Sequence, residues 1–282
     1  MSIDETNRAQ AEFWTVAGTN WTAARDRFDA QVNEHGLVAM ESLAPAAGET
    51  VIDNGCGAGT STVQLAQHVG PSGRVHGLDI SPTMIAGATA YAAEHGVANV
   101  TFAVGDAMAE AFKPEADALY SRFGVMFFSD AAVAFTNMLT ALRPGGRLGF
   151  VCWQSPQANP WVSTPLRVVR EFIDIPFGGD PTAPGPFSLG DPDRIRAVLA
   201  DSGFVNVNVA PRLAHATMGV DRNDAIDFMS KLLPPVAALE ASDPQKGAEL
   251  RARLMTELAD WEGPDGVKAP SAVWIVTASR AA

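Results

Sequence analysis

Three glycines at alternate positions behind an acidic residue are the part of this chain best suited to hold a ligand. Residues 51–60 read VIDNGCGAGT, so that Asp53 precedes Gly55, Gly57 and Gly59. Glycine has no Cβ, which lets the backbone bend tightly and lets a ligand come close to it. The β-branched residues ahead of Asp53 predict a buried strand, and the residues after Gly59 predict a helix with one apolar face. A strand, a glycine turn and a helix hold a nucleotide-like ligand at the carboxyl edge of the sheet in α/β proteins.

The spacing of these glycines distinguishes between ligands. A dinucleotide-binding turn has the pattern Gly-x-Gly-x-x-Gly, whereas here the last glycine comes one residue early. Asp53 also stands where it would repel a pyrophosphate. Both observations count against a nicotinamide-dependent oxidoreductase, which we keep as an alternative function.

Two more acidic residues follow predicted strands. Asp79 ends the segment VHGLD, and Asp106 comes shortly after the third predicted strand. A carboxylate can accept two O–H donors at once, which makes such residues suitable for polar ligands. Simpler roles stay open, because Asp53 could cap backbone amides and Asp79 could cap the helix that begins at Ser81-Pro82. Asp106 could equally stabilise a turn.

The surrounding elements are predicted from hydrophobic periodicity. Residues 1–48 carry apolar side chains at near-helical spacing and predict amphipathic helices. From residue 50 onward strands and helices alternate, which predicts a parallel sheet with crossover helices. Arg143-Pro144-Gly145-Gly146 predicts a stop and a turn before a strand. The predicted strands are 50–53, 73–79, 99–104, 117–121, 147–153, 204–209 and 271–279.

The regular alternation breaks twice. Residues 154–190 are rich in Pro and Gly and predict a long functional loop, whereas 219–262 are predicted to be mostly helical. We therefore expect an α/β fold with a doubly wound, mostly parallel, seven-stranded sheet and helical cap insertions. The predicted division is 1–48 for an N-terminal helical cap segment, 49–153 for the α/β core, 154–190 for a cap or lid insertion, 191–218 for a return to the core, 219–270 for a helical cap insertion and 271–282 for the final core strand.

The motifs together resemble those of a known family. Asp53-x-Gly55-x-Gly57-x-Gly59 resembles the first motif of the class I S-adenosylmethionine-dependent methyltransferases, whose fold is Rossmann-like. VHGLDI at 75–80, VGDA at 104–107 and LRPGGRL at 142–148 are similar to later motifs of this family and occur in the same order. The resemblance covers residues 50–153 well and leaves the cap segments outside. It implies that S-adenosylmethionine is the cofactor and that the core binds it.

The resemblance also implies roles for individual residues. Asp79 would accept hydrogen bonds from the ribose hydroxyls, and Asp106 would receive the adenine amino group. Trp21, or Arg25 and Arg27, would close over the cofactor or pair with its carboxylate. The implied cofactor site consists of Asp53, Gly55, Cys56, Gly57, Asp79, Ile80, Met84, Asp106, Ala107, Ser121, Arg122 and Trp21.

Within the family, SRFGVMFF at 121–128 and FVCW at 150–153 are similar to the methyltransferases of ubiquinone and menaquinone biosynthesis. This implies in-line methyl transfer to a small, largely apolar or aromatic molecule. A base is needed only where the acceptor holds its proton tightly, and His35 and His215 are the candidates, with structural or solvent-facing roles as the simpler alternative. The candidate acceptor-binding residues are Phe127, Trp153 and Trp161, and the other aromatic or Met side chains suited to such an acceptor are Phe128, Phe172, Phe177, Phe187, Phe228, Met229 and Trp261.

Composition limits the partners. The chain has 282 residues and a net charge of −12 from 20 basic and 32 acidic side chains, which disfavours nucleic acid and anionic membranes as partners. No apolar run is long enough for a transmembrane helix, and residues 1–5 lack a signal-peptide profile. Cys56 and Cys152 have no metal-binding spacing and are expected to be reduced thiols. We expect a cytoplasmic transferase, monomeric or homodimeric, without a metal.

Two further alternatives remain open at this point. A non-catalytic binding or scaffold protein could retain the cofactor fold, although the intact glycines and both later acids count against such decay. A nucleic-acid or protein methyltransferase is also conceivable. The charge disfavours the former, and the sequence contains no Asn-Pro-Pro-Tyr-type motif that would hold a flipped amide nitrogen.

Overall fold

A computed structural model describes residues 7–174 and 180–282. Residues 1–6, on which the signal-peptide argument rests, lie outside this range, as does Phe177. The chain divides into two compact units. The first contains the residues up to Trp153, together with 182–212 and 273–282, and the second contains 154–181 and 213–272.

A central sheet contains the five parallel strands of the first unit. Over the described residues the sheet has eight strands in the order β3-β2-β1-β4-β5-β8-β6, with the short β7 paired to β8. Strands β1 to β5 run parallel, and β8 is antiparallel to β5. The predicted α/β class with a mostly parallel sheet is confirmed. The strands are β1 Thr50–Asn54, β2 Arg74–Asp79, β3 Val100–Val104, β4 Ala116–Arg122, β5 Leu142–Trp153, β6 Val205–Gly219, β7 Glu262–Gly263 and β8 Gly266–Ser279.

Helices connect the strands and begin at recognisable caps. The Ser81 hydroxyl accepts the N–H of Met84, and Pro82 occupies the first turn of α4. Asp130 caps α5 in the same way through the N–H of Val133. The described helices are α1 Arg8–Ala23, α2 Arg25–Leu43, α3 Thr60–Val69, α4 Pro82–Glu94, α5 Ala131–Ala141, α6 Pro160–Val169, α7 Pro192–Asp201, α8 Arg222–Leu232, α9 Pro234–Ser242 and α10 Pro244–Glu257.

The centre of the sheet is buried on both faces. In β4 every residue from Ala116 to Ser121 is buried, which is expected of a parallel strand covered by helices on both sides. Tyr120 and Leu119 are fully inaccessible, as is Phe150 in the neighbouring β5. Burial of such side chains stabilises the fold by about 1.5–3 kcal/mol each. The sheet is therefore a rigid support for the loops at its strand ends.

Four predictions about element boundaries are wrong. β5 begins at Leu142 rather than 147, because Leu142 pairs with Ala116 and the pairing then resumes at Arg147 with a register shift. The predicted loop 154–190 contains helix α6. The strand predicted at 204–209 extends to Gly219 as β6, and the final strand begins at Gly266 rather than 271.

The second unit has its own hydrophobic core. Leu250 and Leu254 of α10 are buried together with Ile226 and Met229 of α8. Partly buried side chains pack against this core, and they include Trp161, Phe172 and Trp261. Several of the aromatic residues predicted to receive an acceptor thus contribute to the packing of this unit.

Asn159 fixes the start of α6 within the second unit. Its side chain is fully inaccessible to solvent. Its Nδ2 donates to the carbonyl oxygens of Ser155 and Ala272 at 3.1 and 3.0 Å, and its Oδ1 accepts the N–H of Ala272 at 2.9 Å. The same Oδ1 accepts Nε1–H of Trp161 at 3.0 Å. One amide side chain therefore ties α6 to the backbone of β8.

Loss of the Asn159 side chain is expected to destabilise the second unit strongly. Asn159→Ala leaves the buried N–H of Ala272 without its partner and removes one of the two donors to the Ala272 carbonyl, which the Gln154 N–H also contacts; together these losses cost about 2–4 kcal/mol of unfolding free energy. Urea unfolding followed by tryptophan fluorescence measures this loss. The control Asn223→Ala, at an exposed position of α8, should cost about 0.5 kcal/mol or less. Equal losses for the two variants would contradict the role assigned to Asn159.

Two negative findings apply to residues 7–174 and 180–282. No helix there combines the length and apolar character needed to cross a bilayer. No group of three or more His, Cys, Asp or Glu side chains within the same ranges is arranged to hold a metal ion.

Candidate functional site

The glycine turn at the end of β1 is left-handed at each of its three glycines. Gly55, Gly57 and Gly59 have φ values of +68°, +55° and +93°. A Cβ on Gly55 would lie 2.8 Å from Cα of Gly124, and a Cβ on Gly59 would lie 2.8 Å from Cα of Ala88. A Cβ on Gly57 would meet no atom within 4 Å. The first and last glycines are thus required for packing, whereas the middle one lines an open space.

Asp53 lies beneath this turn and is completely buried. Its Oδ2 accepts the hydroxyl protons of Ser61 and Thr62 at 2.8 and 2.7 Å. Its Oδ1 is buried and has no hydrogen-bond partner among the described residues. Burial raises the pKa of Asp53, and the two hydroxyl donors oppose this shift. A buried carboxylate oxygen without a partner is costly, so the site favours a donor at this point.

Asp79, at the end of β2, supports the turn from the neighbouring strand. Its Oδ2 accepts the N–H of Gly57 at 2.9 Å, and its Oδ1 accepts the N–H of Ser81 at 2.9 Å. Burial raises the pKa of Asp79 to about 6, against the effect of these backbone donors. The carboxylate therefore holds the glycine turn and the entry of α4 together. The helix that begins at Ser81-Pro82 is capped by the Ser81 side chain.

Asp106, in the loop after β3, accepts hydrogen bonds from its own loop and from a residue distant in the sequence. Its Oδ1 accepts the N–H of Met108 and Nδ2–H of Asn7, both at 3.0 Å. Asp106 and Ala107 are buried, at 1% and 4% exposure. Asn7 was not recognised from the sequence, because nothing in a local pattern indicates that residues 99 positions apart meet.

The exit of β4 packs directly on the glycine turn. A Cβ on Gly124 would lie 2.8 Å from the carbonyl oxygen of Asn54 and 2.9 Å from Cα of Gly55. The Ser121 hydroxyl is buried and has no partner among the described residues. Arg122 Nη1 donates to Asp29 Oδ1 of α2 at 2.6 Å, so this side chain forms an ion pair with the helix. Ser121 lies one residue beyond Tyr120, which pairs with Asp53, and the two atoms without partners therefore sit at adjacent strand ends.

Residues 45–159 match a family model that is described as a methyltransferase domain. This segment is thus similar to methyltransferase domains. It contains the glycine turn, Asp79, Asp106 and the exit of β4, which are the features whose order in the sequence resembled that family.

Curated relatives of this methyltransferase domain act on different small molecules, according to their names. The nocamycin O-methyltransferase of Saccharothrix syringae is 30% identical over 60% of this chain and 63% of its own length. The aklanonic acid methyltransferase DauC of a Streptomyces species is 38% identical over 38% of this chain and 49% of its own. A demethylmenaquinone methyltransferase of Lactococcus lactis is 34% identical over 49% of this chain and 52% of its own. The chain thus spans about half to under two thirds of these relatives.

Solved structures share the fold. The YcgJ protein of Bacillus subtilis has a TM-score of 0.59 at 17% identity, covering 88% of this chain and 99% of that one. Phosphoethanolamine N-methyltransferase 2 of Haemonchus contortus, solved with S-adenosyl-L-methionine, has a TM-score of 0.55 at 20% identity, covering 88% and 53%. At such identities the likeness concerns the fold, and it confirms the Rossmann-like class of the methyltransferase domain.

Apolar residues of the methyltransferase domain flank the turn. Met84 of α4 is buried and Ile80 is partly exposed. Cys56 is buried, and burial together with the charges of Asp79 and Asp53 raises the pKa of its thiol. A protonated, buried thiol behaves as a small apolar group that fits within the turn.

The N-terminal helices bring aromatic residues together. Trp21 stacks on Phe28 at 3.7 Å between ring centroids, and its edge contacts Trp14 at 5.4 Å. Trp14 in turn contacts Phe127 at 4.8 Å. The guanidinium of Arg25 lies over the ring of Tyr91 at 4.0 Å, which is a cation–π contact. Phe127 thus contacts Trp14 of α1, whereas Arg25 contacts Tyr91 of α4.

The two candidate bases differ in environment. His35 of α2 is fully buried, and burial lowers its pKa to about 4, so the ring is neutral at physiological pH. Its ring contacts Trp153 edge-on at 5.5 Å. His215 is exposed on β6, in the second unit. Trp161 belongs to the second unit too, where Asn159 holds its indole.

Alanine substitutions at Gly55 and Gly57 should distinguish a glycine that close packing requires from one that lines an open space. Gly57→Ala is expected to cost about 1–2 kcal/mol of unfolding free energy, from the left-handed backbone alone. Gly55→Ala should cost about 3 kcal/mol or more, because its Cβ also overlaps Gly124. The matched control is Gly96→Ala, at φ +64° with no atom within 4 Å of a Cβ, and it should resemble Gly57→Ala. Urea denaturation measures all three, and a Gly57→Ala loss as large as that of Gly55→Ala would contradict an open space at this position.

Proposed function

We propose that this protein is an S-adenosylmethionine-dependent methyltransferase that acts on a small, largely apolar or aromatic molecule. The observation that carries the proposal is the open space at Gly57, bordered by the Asp79 carboxylate. Two buried polar atoms without partners, Asp53 Oδ1 and Ser121 Oγ, stand at adjacent strand ends close by. Such a combination of an open backbone cradle and unsatisfied polar atoms fits a polar ligand that supplies donors and acceptors.

The residues that would hold the cofactor follow from these positions. Gly55 and Gly57 would lie against its methionine part, and the backbone at Ser121 and Arg122 would hold its amino group. Asp79 would accept hydrogen bonds from the ribose hydroxyls. Asp106, with Ala107 beside it, would bind the adenine edge. The remaining residues of the proposed site are Asp53 and Cys56 below the turn, Ile80 and Met84 beside the adenine, and Trp21 in the N-terminal helices.

The chemistry of the bound cofactor is that of a sulfonium, which offers an activated methyl group to a nucleophile. The protein therefore mainly has to align the acceptor and exclude water, and alignment alone can contribute on the order of 7–11 kcal/mol to rate enhancement. Phe127 is proposed to form apolar surface for the acceptor, and the buried Trp153 would support such a surface from behind. Trp161, in the second unit, is the third candidate. His35 and His215 remain candidates for a base, which only an acceptor with a tightly held proton needs.

The names of the relatives support a small-molecule acceptor, since nocamycin, aklanonic acid and demethylmenaquinone are all small molecules. A net charge of −12 makes nucleic acid an unfavourable partner. Cys56 and Cys152 are both buried and free, which suits a reducing compartment such as the cytoplasm. We propose a cytoplasmic protein that is a monomer or homodimer. The spacing of the turn glycines and the leading Asp53 count against a nicotinamide-dependent enzyme.

The direct test uses labelled methyl transfer. Purified protein is incubated with methyl-labelled S-adenosylmethionine and a panel of phenols, quinols, amines and carboxylates. We expect label in one class, and we expect Gly57→Val to abolish transfer by filling the cradle while Gly96→Val retains it. Binding of S-adenosylhomocysteine by calorimetry gives an independent readout. A protein that binds neither cofactor form would refute the proposal, and binding without transfer to any acceptor would favour the non-catalytic alternative.

Cofactor affinity should depend on pH through Asp79. Its pKa of about 6 means that the carboxylate is charged above that pH and neutral below it. Because ribose hydroxyls donate to the charged form, affinity for S-adenosylhomocysteine should fall as pH decreases. About one quarter of the group stays ionised at about pH 5.5, so the dissociation constant should be about fourfold higher than at about pH 7.5.

The variant Asp79→Asn should bind more weakly and lose most of this pH dependence. Asp53 also has a raised pKa, so Asp53→Asn serves as the control and should retain the dependence. Calorimetry at matched ionic strength gives the dissociation constants. If the pH dependence of affinity survived in Asp79→Asn and disappeared in Asp53→Asn, the titrating group would be Asp53, which would contradict the prediction.

A further inference from the structure

Phe123 has a backbone conformation that a phenylalanine rarely adopts. It has φ +61° and ψ +5°, in the left-handed region, directly after β4. A bulky residue is strained there, whereas glycine is not. Its N–H donates to the carbonyl of Val151 at 3.0 Å, which fixes the backbone to β5. Strain of this kind persists where the surroundings enforce it, and it concentrates at ligand sites.

The strained backbone places the Phe123 ring in an aromatic cluster. The ring stacks on Trp153 at 4.4 Å between centroids, with the planes inclined by 24°. His35 contacts both rings edge-on, at 6.3 Å from Phe123 and 5.5 Å from Trp153. Trp153 and His35 are buried, but Phe123 is partly exposed. Phe123 is therefore the member of this cluster that a ligand can reach.

The cluster is held rigidly by α2. Gly36 follows His35, and its carbonyl accepts the hydroxyl of Tyr120 at 2.8 Å. A Cβ on Gly36 would overlap the Arg122 side chain, so helix and strand are in close contact at this point. Arg122 also bonds Asp29 of the same helix. His35 consequently has a fixed position against Phe123 and Trp153.

The cluster adjoins the proposed cofactor site. Phe123 lies between Arg122, whose backbone is proposed to hold the cofactor amino group, and Gly124, which packs on Gly55. The Phe123 and Trp153 rings are uncharged, and burial keeps the His35 ring neutral at physiological pH. A flat apolar surface next to the reacting end of the cofactor suits a flat, conjugated acceptor better than a flexible or charged one.

We infer that Phe123 determines acceptor specificity, and that its ring, backed by Trp153 and His35, stacks on a planar conjugated ring of the acceptor. This inference rests on the proposed function and narrows its substrate class. Sequence patterns did not reveal Phe123, because neither its left-handed backbone nor its stacking partner can be recognised from residue types alone.

The test compares two probes that bind in the presence of S-adenosylhomocysteine. One is 1,8-dihydroxyanthraquinone, which is planar and conjugated, and the other is cyclododecanol, which is apolar and not planar. Binding is followed by calorimetry for the wild type, Phe123→Leu and Phe123→Gly. The control is Phe112→Leu, at a partly buried position in the loop between β3 and β4.

We expect Phe123→Leu to weaken binding of the planar probe by about fivefold or more and binding of cyclododecanol by less than about twofold. Phe112→Leu should change neither. Phe123→Gly should lose planar-probe affinity to the same extent while its melting temperature stays near that of the wild type, because relief of strain offsets lost packing. Cofactor affinity should be unchanged in all variants.

Several outcomes would overturn the inference. Equal losses for both probes, or no loss for the planar one, would remove planarity as the recognised property. Weaker binding of S-adenosylmethionine but not of S-adenosylhomocysteine would mean that the ring faces the sulfonium instead. A large loss of stability in Phe123→Gly would mean that the ring serves packing. Wild-type protein that binds the cofactor but not the planar probe would overturn this inference alone, whereas failure to bind either cofactor form would overturn the proposed function as well.

Discussion

The hydrogen bond from the Gly57 N–H to the Asp79 carboxylate is the interaction on which the site depends. It joins the turn after β1 to the end of β2 at 2.9 Å, and the same carboxylate holds the entry of α4 through Ser81. A left-handed glycine turn has backbone amides that no regular element satisfies, so a fixed acceptor is needed to keep its shape. Asp79 provides it from a strand whose position the sheet determines. The geometry of the cradle thus follows from parallel strand pairing and not from the glycines alone.

The same arrangement explains why the pKa values of Asp53 and Asp79 are raised. Burial raises the pKa of both Asp53 and Asp79, and the charge of Asp53 raises the pKa of Asp79 further. Ser61, Thr62 and two backbone amides compensate only in part. Asp53 Oδ1 and Ser121 Oγ are left without partners in the described part of the chain. A ligand that donates to these atoms would recover the free energy that their burial costs, which links folding of the turn to recognition.

Much of this could be predicted from sequence, because the information is local. The strand ends, the glycine spacing and the helix start at Ser81-Pro82 each depend on a few neighbouring residues. The predictions failed where contacts between residues far apart in the sequence determine the structure. Helix α6 lies in a Pro-rich segment, and Asn159 at its start bonds Ala272, 113 positions away. Asn7 meets Asp106 over 99 positions, and Phe123 is significant only once its φ and its contact with Trp153 are known.

The central claim is that the open turn after β1 is where the cofactor binds, and amide hydrogen exchange tests it most directly. Exchange is measured by mass spectrometry on the full chain with and without S-adenosylhomocysteine. The account predicts slower exchange in peptides that contain residues 54–60, 79–81 and 121–124, which lie far apart in sequence and meet at the turn. Protection confined to other segments, with exchange at 54–60 unchanged by a saturating amount of the ligand, would contradict it.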